Sequence, residues 1–230
     1  MNIFVIWIGD EAINETRRRA LNSIPGHTLV TKHNFNEYIL KDFPLHPAFQ
    51  YLSTVHKSDY LRCYLMHHYG GGYSDVKHNT IDWAAGFKYI TDNPDIMILG
   101  VKTTFGHMYA GIEEWNEQLK NEILGNGDKL FCMCWFICKP YTQFTTQWIE
   151  QVNTKLDSFL ERLKAYPAKY TRECNIPRLG YSLPQPDWES SKGEHRNYPL
   201  SWNLILSQIV FPLQMKFLDN IDNTIMQTHI

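Results

Sequence analysis

The sequence predicts an α/β fold in a single domain, and three observations carry that expectation. The chain opens on an unbroken run of β-formers, Ile3 to Ile8; strand-like and helix-like runs alternate after it; and 230 residues is an ordinary length for one sheet-containing domain. A strand apolar on both faces belongs in a mostly parallel sheet covered by helices. After Gly9-Asp10, the stretch Glu11 to Ser23 is helix-like and carries Arg17, Arg18 and Arg19. Pro25-Gly26 ends it before a second strand, His27 to Thr31, so the opening reads β-α-β. Asn34 to Leu40 is a short helix candidate, and Pro44 and Pro47 mark a loop.

The spacing predicts a helix from Ser58 to Tyr69, with Leu61, Leu65 and His68 or Tyr69 recurring at helical steps and Ser58 as N-cap. Gly70-Gly71-Gly72 stops it. Tyr73 to Lys77 reads as a short strand or strand end, after which the chain turns polar. Asp95 to Gly100 is the next buried strand, and His107 to Leu124 is helix-permissive. Gly125 to Asp128 is a turn before a strand over Leu130 to Cys138. Phe144 to Tyr166 repeats apolar residues, among them Trp148, Val152 and Leu156, at the three- and four-residue steps of a long amphipathic helix. The polar, proline-bearing stretch from Pro167 to Pro199 reads as a functional or disordered loop. Trp202 to Ile209 is an apolar helix ended by Pro212, and the last ten residues read as a frayed tail.

Composition excludes whole classes. Lys and Arg number 22 against 24 Asp and Glu, a formal charge of −2, so there is no basic excess to grip nucleic acid. With 43% hydrophobic and 20% charged residues the chain is globular. Its apolar runs fall short of the ~20 residues of a membrane helix, so no integral membrane segment is expected. The opening lacks the basic flank of a signal peptide and meets Asp10 at once, so a cytoplasmic protein is expected. Five cysteines form neither an even framework nor a Cys-x-x-Cys pair; Cys132 and Cys134, one strand face at period two, read as reduced core residues rather than zinc ligands.

The chemistry concentrates in Lys57-Ser-Asp59-Tyr-Leu-Arg62 and Tyr69-Gly-Gly-Gly-Tyr73-Ser-Asp75-Val-Lys77. Asp59 and Arg62, three apart, share one helix face. The glycines then permit close backbone approach and deliver Asp75 at the end of an apolar segment. Taken singly, each has a plainer reading: an exposed helix ion pair, a helix cap, a turn aspartate. Together they suit a polyhydroxylated ligand carrying phosphate, because carboxylates accept from sugar hydroxyls while Arg and Lys neutralise phosphoryl oxygens.

The pattern Ser-Asp-x-x-Arg, then a helix, then Tyr-Gly-Gly-x-Tyr-x-Asp resembles glycosyltransferases with a sugar-binding region containing a DXD motif. These are the family 32 mannosyltransferase-like enzymes, the capsular polysaccharide synthesis proteins and, more distantly, the sugar-transferring clostridial toxins. The likeness is specific over Asp59 to Lys77 and extends over residues 1–105; Trp135 to Thr142 and Tyr198 to Trp202 are weaker family features. It implies a GT-A fold, an α/β/α sandwich with a mixed, mostly parallel sheet, and a nucleotide-sugar donor, uridine- or guanosine-diphosphate linked. Residues 1–105 would form the nucleotide-sugar-binding half and residues 106–230 the acceptor-side half. By the same likeness Trp7 lies near the nucleobase, Asp59 and Arg62 hold donor hydroxyls, and Asp75 is the first Asp of the DXD element. Lys57, Tyr73 and His195 join them as substrate-binding candidates.

Where the family pattern has its second Asp this chain has Lys77. In the family that carboxylate binds Mn²⁺ or Mg²⁺ beside the departing diphosphate. An ammonium there repels a divalent cation yet can itself supply fixed positive charge, so two expectations stand side by side: Lys77 replaces or supplements a metal on Asp75, or Lys77 points to solvent while Asp75 and a distant His or Asp hold the ion. A catalytic base, if the reaction inverts, would come from Asp187, Glu189, Glu194 or His195. The histidines His67, His68 and His107 read as ordinary core or surface residues. Two other readings stand beside transfer: a non-catalytic nucleotide- or carbohydrate-binding module on the same fold, and a sugar-phosphate or nucleotide enzyme in which Asp59 and Asp75 share one ion.

Overall fold

In the computed structural model, residues 2–103, 115–174 and 197–226 are described. The strands are β1 (Ile3–Trp7), β2 (His27–Thr31), β3 (Gly71–Ser74), β4 (Ile98–Lys102), β5 (Phe131–Cys138) and β6 (Ile221–Met226). The helices are α1 (Glu15–Asn22), α2 (Thr54–His68), α3 (Trp83–Asp92), α4 (Glu117–Gly125), α5 (Gln143–Ala165) and α6 (Ser207–Lys216). One six-stranded sheet runs β2-β1-β3-β5-β4-β6. Three of its pairings are parallel, while β5 runs antiparallel to both neighbours. This is a single Rossmann-like α/β domain with a mixed, mostly parallel sheet.

Strand β1 illustrates why the layers form. Its side chains alternate between faces, and both faces are covered. Phe4 and Ile6 join Leu61 and Leu65 of α2 and Trp148 and Val152 of α5 in one core. Ile3 and Val5 join Ala20 and Leu21 of α1 and Trp83 and Phe87 of α3 in the other. The crossover through α1 carries β1 to β2 on one face, and that through α2 carries β2 to β3 on the opposite face. The connections therefore diverge at β1, and a crevice opens beyond its carboxyl end, between it and β3.

Local chemistry sets the element ends. Ser53, not Ser58, caps α2: its Oγ accepts from the His56 backbone N–H, so the helix begins one turn earlier than the sequence spacing predicts. Burial lowers the His56 imidazole pKa to about 4, so it is neutral; its Nε2–H donates to the Ser201 carbonyl (3.0 Å) while its Nδ1 accepts from the Tyr198 hydroxyl (2.9 Å), tying this N-terminus to the late segment. Gly70 and Gly71 take φ of +61° and +88°, and a Cβ on Gly71 would lie 2.6 Å from the Asn2 carbonyl oxygen. That close approach seats β3 against β1.

Several expectations are corrected. Helix α3, in the stretch read only as polar, is capped by Asp82 and buries Trp83, Phe87 and Ile90. Residues 202–206 form turns, α6 starts at Ser207, and Pro212 lies inside it; the buried Ile209, Val210, Phe211 and Leu213 offset the one backbone hydrogen bond that proline removes. The supposed frayed tail contains β6, an edge strand made by pairing with β4 and by the Tyr89 hydroxyl donating to Asp222. All five cysteines are free and buried. Among the described residues no helix is long and apolar enough to cross a membrane.

Two glycine substitutions test the backbone argument. Gly71→Ala is expected to cost about 1–3 kcal/mol in urea unfolding, because its φ is strained for any side chain and its Cβ meets backbone. Gly125→Ala, with open space around the added carbon, should be neutral or stabilise by up to about 1 kcal/mol.

Candidate functional site

Beyond the carboxyl ends of β1 and β3 lies a cleft of about 370 Å³, lined by Trp7, Asp59, Arg62, Tyr73, Asp75 and Lys77 among others. Helix geometry contributes two of these. Residues three apart on α2 share a face, so Asp59 and Arg62 both turn inward and pair at 3.4 Å. Lys57, two positions from Asp59, falls on a different side of the helix; its ammonium lies 5.8 Å from the Phe49 ring centre and does not line the cleft, against the sequence expectation. Asp75 follows β3 directly, its N–H donating to the Cys134 carbonyl at 2.8 Å.

The four charged groups form one alternating chain. Arg62 Nη2 lies 3.4 Å from Asp59 Oδ1 and 3.3 Å from Asp75 Oδ1, and Lys77 Nζ lies 3.0 Å from Asp75 Oδ2. Tyr73 braces it twice, donating its hydroxyl to Asp75 Oδ1 at 3.0 Å and placing its ring 4.4 Å beneath the guanidinium. Arg62 also donates to the Met133 carbonyl at 3.1 Å, and Lys77 to Cys134 Sγ at 3.0 Å. Exposure rises along the chain: the Asp59 and Arg62 side chains are 6% and 8% accessible, those of Asp75 and Lys77 23% and 42%. Lys77 is the most exposed of the four.

The two carboxyls are driven apart. Burial dominates at Asp59 and raises its pKa to about 7 despite Arg62. Besides that ion pair, Asp59 accepts no hydrogen bond among the described residues, leaving lone pairs for a ligand hydroxyl. Burial would raise Asp75 too, but Arg62 and Lys77 override it and hold its pKa at about 2. Desolvation opposes the charge on Lys77, yet Asp75 keeps its pKa above the ordinary lysine value.

The donor set does not suit a divalent ion. Both Asp75 oxygens are already engaged by cations or a phenol, and among the described residues no group of three or more His, Cys, Asp and Glu side chains gathers to hold a metal. Asp59 and Asp75 are bridged by Arg62 rather than meeting around one ion.

Further lining residues come from distant segments: Arg17 of α1, Arg172, Trp202 and Ser207. Of the basic run on α1, only Arg17 turns inward, donating to the Val76 carbonyl, while Arg19 pairs with Glu15 in solvent. Trp202 belongs to a run noted in the sequence, and Arg172 to the polar stretch read as a functional or disordered loop; nothing in the local sequence marks Ser207. Asp187, Glu189, Glu194, His195 and His107 lie outside the described residues. His67 and His68 pack against Tyr141 and do not line the cleft. Comparison with protein families, with curated proteins and with solved structures yields no match.

The raised Asp59 and depressed Asp75 carry opposite pH signatures. Asp59 binds its proton more tightly folded than unfolded, so its contribution to stability falls as pH rises from about 4 through about 7. Asp75 contributes stability above its ordinary pKa of 3.8 that is lost as pH falls towards 2. Urea unfolding at pH 5 and pH 8 should therefore show a smaller loss of stability between the two in Asp59→Asn than in the unaltered chain; an identical loss contradicts the assignment.

Proposed function

We propose that this chain is a glycosyltransferase of the GT-A type, moving a sugar from a nucleoside diphosphate donor, uridine- or guanosine-linked, to a hydroxyl of a glycan acceptor in the cytoplasm. The observation that carries this reading is the convergence of Asp59, Arg62, Asp75 and Lys77 on one cleft at the topological switch of an α/β sheet, where such folds bind nucleotides. The resemblance of Ser-Asp-x-x-Arg and Tyr-Gly-Gly-x-Tyr-x-Asp to the DXD-containing families supports it.

The roles follow from the charges. Asp59, with unused lone pairs, accepts from donor sugar hydroxyls, and Arg62 donates beside it. Trp7 supplies an apolar face near the nucleobase. In the transfer step the acceptor hydroxyl oxygen bonds to the anomeric carbon as the bond from that carbon to the diphosphate oxygen breaks, and the hydroxyl proton passes to the departing diphosphate or to water. The electron pair leaves with the diphosphate, which gains negative charge. Lys77, held by Asp75 and open to the cleft, supplies fixed positive charge where that oxygen departs. In the DXD families a divalent ion supplies this charge; here an ammonium occupies the motif position.

A second reading is favoured by one observation: internal cations already satisfy both Asp75 oxygens, as they would in a binding module that does no chemistry. Donor breakdown separates the two. After a thermal-shift screen identifies the preferred nucleotide sugar, slow release of nucleoside diphosphate into water is expected, unaffected by EDTA and reduced about a hundredfold or more in Lys77→Ala. Donor binding without release supports the binding module; full metal dependence with an active Lys77→Ala rejects the role of Lys77.

A further inference from the structure

Charge in the cleft does not balance within the Asp59–Lys77 chain. Four basic side chains line the cleft, Arg17, Arg62, Lys77 and Arg172, against the acidic Glu11, Asp59 and Asp75. Arg62 and Lys77 are consumed by Asp59 and Asp75. Arg17 and Arg172 form no ion pair with any described residue; among those residues the Arg17 guanidinium donates only to the neutral Val76 carbonyl. With Glu11 the third acid, the cleft keeps a net excess of one positive charge, carried by two guanidinium groups outside any ion pair among the described residues; such groups attract a multivalent anion, and the planar guanidinium suits phosphoryl oxygens.

A second feature points the same way. Helix α6, ten residues long, begins at the cleft and has no side-chain cap. Its first residue, Ser207, is 4% exposed and lines the cleft, yet its Oγ has no hydrogen-bond partner among the described residues. A buried hydroxyl without a partner is costly in a folded protein and marks a place where a ligand acceptor completes the set. The positive end of a helix dipole adds to it.

We propose that Arg17, Arg172 and Ser207, with the N-terminus of α6, form a diphosphate-binding subsite that works without a divalent cation. This rests on the nucleotide-sugar reading for its biological ligand, but the subsite itself requires only a pyrophosphate group. It also separates two duties: these residues hold the diphosphate in the ground state, and Lys77 meets the charge that develops on bond cleavage.

Isothermal titration of the full chain with inorganic pyrophosphate in EDTA tests it. Binding is expected, weakened by about tenfold or more in Arg17→Ala and in Arg172→Ala, and several-fold in Ser207→Ala. Arg172 is exposed, so its variant should fold even if loss of the Arg17 bond to Val76 disturbs the other. Ser207→Ala should bind less well while its ligand-free melting temperature holds or rises, the signature of removing an unpartnered hydroxyl. Absence of pyrophosphate binding by the unaltered chain, or binding within about twofold in all three variants, overturns the subsite. Weakening in the arginine variants alone overturns the part assigned to α6. Pyrophosphate binding with the expected losses but no nucleotide sugar bound or broken down upholds the subsite and removes the glycosyltransferase reading. Nucleotide-sugar turnover that ignores all three substitutions does the reverse.

Discussion

Arg62 is a full positive charge taken out of water, and the candidate site is built around pairing it, its Nε alone lacking a hydrogen-bond partner among the described residues. Desolvating a guanidinium costs several kcal/mol unless anions and acceptors surround it. Asp59, Asp75, the Met133 carbonyl and the Tyr73 ring meet that demand from four directions. The requirement couples elements far apart in the chain: α2 must lie over β3, and β5 must pass close enough to offer a carbonyl. Removing either carboxylate leaves the charge underpaired, so the aspartates hold the architecture of the cleft as well as facing its contents. The same arrangement leaves Asp59 short of hydrogen bonds, and a sugar hydroxyl is the kind of group that makes up the shortfall.

Topology supplies the space. Because α1 and α2 cross on opposite faces, the chain diverges at β1 and leaves a crevice that neither crossover fills. The wall opposite β3 comes from the late segment, held to the start of α2 by His56, Tyr198 and Ser201. A neutral, buried histidine thus aligns Trp202 and Ser207 with residues contributed a hundred and more positions earlier.

Much of the fold was legible because local signals agreed with burial. The apolar run at Ile3, the turn at Pro25-Gly26 and the helical period from Phe144 each matched the element observed. Misreadings occurred where tertiary contacts decide. Nothing local in Ile221–Met226 demands a strand; pairing with β4 makes one. Ser58 looked like a cap because an apolar pattern follows it, whereas Ser53 holds the position through its own hydroxyl and a histidine partner. In the site, Asp59, Arg62, Asp75 and Lys77 were readable because two lie at helical spacing and two follow a strand end at once. Lys57 was misassigned by mere adjacency, which a helix converts into another direction. Arg17, Arg172 and Ser207 were unreadable because only the folded chain brings α1, the segment before residue 174 and α6 to one hollow.

Every residue of β5 is buried, and it runs between β3 and β4 although it follows both in the chain. The sheet therefore cannot close during synthesis until residue 138 has emerged, and until then β3 and β4 each present an unpaired edge. A division near residue 105 would not yield two self-sufficient pieces, since the first would lack the strand that joins its own β3 to its own β4. The carbonyls of Met133 and Cys134 that anchor Arg62 and Asp75 arrive on that same late strand. That strand is therefore a precondition for the cleft, and the anchoring of Arg62 and Asp75 does not exist in a nascent chain that lacks it.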